Sequence, residues 1–143
     1  MIDSKATDTS LTQAFTATIY RVAMGRMIDL YVGEPPPAAI IDWCTRIADI
    51  SDGWIITADN PGASIHPSTE NRSRTAALDG ELAEANIASL ATCHIDPAAR
   101  WPDEYGRLIA TGDTAFVHAL AARFGQAAVV HVAHDRCRLV WIG

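Results

Sequence analysis

Between Asn60 and Arg74 the chain reads N-P-G-A-S-I-H-P-S-T-E-N-R-S-R, and four of its side chains suit ligand recognition: the amides of Asn60 and Asn71 and the guanidinium groups of Arg72 and Arg74. An amide offers both donors and an acceptor, and a guanidinium offers a fork of donors that matches a carboxylate or phosphate. The chemistry implied is the binding of a small polar or anionic ligand. Pro61 presets the first dihedral of a tight turn and Gly62 takes the positive φ of type II, so the chain reverses at this point. Five residues further on, Ser68 is a good N-cap, which brings free backbone amides and the positive end of a helix to the same place. The competing reading is structural: both amides bond to backbone and brace the turn, because a buried amide without partners costs about 1 to 3 kcal/mol.

Other chemistries find less support. The histidines at 66, 94, 118, 131 and 134 form no H-E-x-x-H pattern, and His131 and His134 are spaced poorly for shared ligation on a hairpin, so no metal is expected. The chain has no G-x-S-x-G, G-x-G-x-x-G or Walker loop, which removes the common serine hydrolase, dinucleotide and P-loop readings, and no cofactor is expected. Cys93 and His94 are neighbours on one strand and point to opposite faces, which prevents them from acting as a pair.

The elements that must position these groups fit one domain. The 143 residues are 49% hydrophobic and 20% charged, enough to bury a core without a metal or disulfide. Seventeen acidic against 11 basic residues give a net charge of −6, which disfavours nucleic acid as a partner. Three well-separated cysteines read as reduced thiols of a cytoplasmic protein, and neither a signal layout nor a membrane-length apolar run is present.

Residues 1–12 read as a flexible polar tail and 13–143 as a single α+β domain. Phe15 to Val22 and Met27 to Val32 alternate as a hairpin, and the prolines at 35 to 37 open a helix to about Ile50. Its expected buried stripe is Ile40, Ile41, Cys44, Ile47 and Ala48, with Trp43 on the flank. The run Gly53 to Ala58 reads as an interior strand. A helix from Ser68 to about Ala85 follows, with Leu78 and Leu82 inward; counting back from them through Thr75 turns Asn71 inward too. Strands at 87–95 and 105–110, a helix capped by Asp113 and stopped at Gly125, and a closing hairpin at 127–132 and 137–142 complete the order ββ-α-β-α-ββ-α-ββ. This order predicts a mixed, mostly antiparallel sheet packed with about three helices.

The strings T-A-D-N-P-G, S-x-x-N-R, W-P-D-E and A-L-A-A-R-F-G-Q-A-A-V-V, in that order from Trp54 to Val130, resemble the DUF3293 family of small bacterial proteins. The resemblance implies no activity. It groups Thr57, Asn60, Pro61, Asn71, Arg72, Glu104, Gly125 and Gln126 by position. Asp59 and Tyr105 depart from the family pattern, the latter beside Glu104. Within this group Glu104 is the one candidate for general acid or base catalysis, with Asp59 and His94 as helpers by strand-end placement alone. The alternative for Glu104 is an ion pair with Arg72 or Arg74, and for Gln126 a bracing role where it enters a strand.

Two functions follow. One is a small-ligand site, with or without catalysis, built from Asn60, Asn71, Arg72, Arg74, Glu104 and Gln126. The other is an accessory protein, such as a homodimer, that makes contact through Trp43 and apolar edge strands while the polar group only braces the fold.

Overall fold

The computed structural model describes residues 4–143. The first three residues of the expected tail lie outside them, and from Ser4 the backbone forms helix α1 (Ser4–Ala17). Its Ser/Thr content hides a helix held from outside: Leu11 and Phe15, four residues apart, are half-buried, and the Phe15 ring meets Trp141 edge-on at 5.9 Å. Phe15 therefore belongs to this helix, and the first strand starts later than its alternation suggests.

Strands β1 (Ile19–Met24) and β2 (Arg26–Leu30) form the expected hairpin, and helix α2 (Ala38–Ala48) follows the prolines. Strand β3 (Gly53–Thr57) is buried throughout and leads through a short 3₁₀ turn (Pro61–Ala63) to helix α3 (Ser68–Glu84). Then come β4 (Ser89–Ile95), β5 (Glu104–Ile109), helix α4 (Thr114–Arg123), β6 (Ala128–Val132) and β7 (Cys137–Trp141). Two details differ at the helix ends. Ser68 is the first residue of α3, and Pro67 occupies the cap position with no side chain closing it. Asp113 does cap α4, accepting from Phe116 N at 3.0 Å.

The seven strands form one sheet in the order β2-β1-β4-β5-β3-β6-β7. Every ladder is antiparallel, so the expected mixed sheet is corrected to an antiparallel one; the one parallel feature described is an isolated bridge from Val32 to Cys137. That bridge, with Gly33 N to Cys137 O at 2.9 Å and Cys137 N to Glu34 O at 2.8 Å, ties the two edges together and curls the sheet.

Alternation along β3 divides the core. Ile55 joins Leu30, Ile40, Trp43, Leu108 and Val130 on the α2 face, whereas Trp54 and Ile56 join Leu78, Leu82, Val117 and Leu120 beneath α3 and α4. Trp43 is thus a core residue and not a contact flank, while Ile47, placed in the buried stripe by spacing, is 48% exposed. The buried stripe of α2 is Ile40, Trp43 and Cys44, confined to its first turns. No helix among the described residues is long and apolar enough to cross a membrane.

Candidate functional site

Beyond the last residue of β3 the chain meets Asp59 and Asn60, both buried. Asn60 adopts the left-handed conformation (φ 51°, ψ 54°), which asparagine tolerates better than other side-chain-bearing residues. Its side chain is held on both ends. Oδ1 accepts from His66 N at 2.8 Å and from Asn71 Nδ2 at 2.9 Å, while Nδ2 donates to Glu104 Oε2 at 2.8 Å. Asn60 N in turn donates to Asn71 Oδ1 at 2.9 Å, so α3 is pinned to the end of β3 by its inward-facing amide.

The remaining sequence candidates separate into two groups. Gln126 reaches the same turn from the other side, where its Nε2 donates to Asp59 O at 2.9 Å and to Phe124 O at 3.1 Å. Arg74 donates to Asn71 Oδ1 at 2.7 Å, but its buried Nε has no partner and it stands behind Asn71, away from Glu104. Arg72 is exposed and joins nothing in the cluster. The expected ion pair of Glu104 with either arginine is absent; its Oε2 instead accepts from Asn60 Nδ2 and from the Trp101 indole, the latter at 2.9 Å. Asp59 is also spent: its carboxylate accepts from Tyr105 N at 2.8 Å and Thr75 Oγ1 at 3.3 Å.

Asn60, Glu104 and Gln126 line a cavity of about 480 Å³ on the α2 side of the sheet, roofed by Leu11, Ala14 and Phe15 of α1. Sheet register explains its floor. Tyr20 lies opposite His94, and His94 opposite Glu104, so three neighbouring strands carry these side chains on one face in a row. Gly106 makes room for them: a Cβ there would lie 2.4 Å from Ile56 O and 2.9 Å from the His94 ring.

Environment sets the charge of this row. Burial pushes the Glu104 carboxyl above its ordinary range, with the Asp59 charge adding to the rise and the N–H groups of Asn60 and Trp101 opposing it. Burial alone lowers His94 to about 3, so its imidazole is neutral, with Nε2 2.8 Å from Thr92 Oγ1. Both hydrogen bonds to Glu104 end on Oε2. Its Oε1 takes neither of them, in a side chain that lines the cavity, and a carboxyl of raised pKa is suited to act as a general acid or base. No cluster of three or more His, Cys, Asp or Glu side chains among the described residues could hold a metal.

Sequence reasoning missed Tyr20, Trp101 and Gly106. Trp101 carried a usable signal, since W-P-D-E places an indole donor three residues before the carboxylate; the other two are set by strand order alone.

A family model described as protein of unknown function (DUF3293) matches residues 56–129, from the middle of β3 into β6. The matched segment holds Asn60, Asn71, Glu104 and Gln126, whereas Phe15 and Tyr20 lie before it. No curated protein and no solved structure matches the chain.

Proposed function

Since the chain belongs to the DUF3293 family, whose description names no activity, we propose from the site geometry that it binds a small polar ligand in the cavity between α1 and the end of β3. One observation carries this reading: Glu104 is mostly withdrawn from water and fixed by two donors on Oε2, yet presents Oε1 to a space large enough for a metabolite. A carboxylate serving only to brace the turn would spend both oxygens inside the fold, as Asp59 does. Bracing is the role of Asn71, whose bonds close the turn, and of the Gln126 amide nitrogen. Glu104 is the group positioned to transfer a proton if the ligand is also a substrate.

The anionic class proposed from Arg72 and Arg74 loses support, as neither side chain lines the cavity. The accessory, self-associating alternative has no comparable feature behind it: the exposed Met27, Ile47, Ile65, Tyr105 and Trp141 sit on separate elements. A thermal-shift screen of metabolite classes tests the proposal, since a ligand at a hundredfold excess over its Kd adds about 2.7 kcal/mol. Hits whose effect disappears in Glu104→Gln support it. Hits indifferent to that change place the site elsewhere.

A further inference from the structure

We propose that the cavity selects a ligand with a cationic nitrogen head, a primary ammonium or guanidinium, carried on an apolar body. This rests on the reading of the cavity as a ligand site and narrows it by counting what the walls leave unfilled.

The donors at its polar end are already committed. Asn60 Nδ2 and Trp101 Nε1 both serve Glu104 Oε2, Thr57 Oγ1 serves Tyr105 O at 2.7 Å, and the Tyr20 hydroxyl serves Phe15 O at 3.4 Å. Two acceptors at that end are left without a bond among the described residues: Glu104 Oε1, and Gln126 Oε1, since two carbonyl partners fix that amide with its nitrogen turned to the backbone; three further polar side chains on the lining, Ser10, Gln13 and Arg100, are exposed. Unfilled acceptors call for a ligand rich in donors, and an ammonium or guanidinium brings donors with no acceptor.

Charge agrees. Among the described residues, three charged side chains line the cavity: Glu104, Asp96 and Arg100. The Asp96 carboxylate is folded onto the backbone N–H groups of Ala98, Arg100 and Trp101, at 2.9, 2.9 and 3.1 Å, and Arg100 is exposed. His94 adds no positive charge, because burial keeps it neutral. A cation beside Glu104 also offsets the cost of burying an ionised carboxylate, which an anion would increase. Phe15, Tyr20 and Ile55 supply apolar walls, two of them aromatic, a side-chain type that suits a cationic neighbour.

The test compares three probes of similar shape, 2-phenylethylamine, 2-phenylethanol and 3-phenylpropanoate, by calorimetry and thermal shift at neutral pH. Three proteins are used: wild type, Glu104→Gln, and Ala14→Trp, which fills the space under α1. The expected result is binding of the amine at least tenfold tighter than the other two, lost tenfold or more in Glu104→Gln and abolished in Ala14→Trp. Equal or stronger binding of the propanoate or the alcohol, still sensitive to Ala14→Trp, overturns the cationic class and leaves the cavity reading standing. Binding of none of the three, or binding indifferent to Ala14→Trp, overturns the cavity reading as well. Circular dichroism and melting of each variant without probe show that the comparison is made on folded protein.

Discussion

Asn60 and Asn71 are joined twice, backbone N to side-chain Oδ1 and side-chain Nδ2 to Oδ1, each at 2.9 Å. The pair makes the end of β3 and the start of α3 one unit, and the carboxylate of Glu104 hangs from it through Asn60 Nδ2. Removing either amide should therefore be felt both in stability and in the cavity.

Asn71→Ala leaves the buried Asn60 N–H without its acceptor, and the cost should be about 2 to 3 kcal/mol. Asn71→Asp keeps an acceptor for that N–H while losing the donor to Asn60 Oδ1, so it should cost less. Urea denaturation of both variants checks the order; an alanine variant as stable as wild type would show that the pair does not hold the turn.

Gly125 and Gly62 make a matched experiment. Both have positive φ, +64° and +73°, so alanine at either pays for a left-handed backbone, about 1 to 2 kcal/mol. A Cβ at Gly125 would in addition lie 2.8 Å from Pro61 Cβ, where Gly62 N donates to Gly125 O, whereas Gly62 has open space. Gly125→Ala should be the more destabilising by at least about 1 kcal/mol in chemical denaturation, and an equal cost at both positions would deny the contact between the two loops.

Acid stability should be governed by His94. Its folded pKa of about 3 lies below the unfolded 6.5, so the unfolded chain binds the extra proton between those values and stability falls as pH drops from 6.5 towards 3. At full effect this is on the order of 4 to 5 kcal/mol. Against His94→Gln, wild type should lose stability over that window, measured by denaturant titrations at fixed pH. Parallel pH curves for the two proteins would place the acid sensitivity elsewhere.

Glu104 should act with the opposite sign. Its folded pKa is raised, so the folded chain keeps a proton that the unfolded chain sheds above about 4.5, and stability falls as pH rises from there through the folded pKa. Glu104→Gln retains an oxygen for Asn60 and Trp101 and lacks this slope. The stability difference, wild type minus variant, should decline with rising pH and then level off; a difference that grows with pH would show that the ionised carboxylate is the stabilised form.

How far the sequence could be read depends on where each cause lies. Alternation in the hairpins, the Asp113 cap and the inward turn of Asn71 are local patterns, and the elements they specify are present. The helix α1 is not of that kind, because Phe15 is fixed by Trp141 from the opposite end of the chain. The partners of Glu104 were misjudged for a related reason: charge suggested an arginine, but the turn after β3 and the loop before β5 bring Asn60 and Trp101 to Oε2. The row of Tyr20, His94 and Glu104 follows from strand order, which no local pattern encodes.

Strand order also has a consequence during synthesis. The apolar β3 pairs with β5 and β6, so Trp54 waits for Ile109 and Ile55 for Val130, and neither partner exists when β3 leaves the ribosome. At about 5 to 20 residues per second, the 55 residues from Trp54 to Ile109 take roughly 3 to 11 seconds. For that time Gly53 to Thr57 is a nascent strand with two open edges, the segment where a chaperone would be needed first and where premature association between chains would begin.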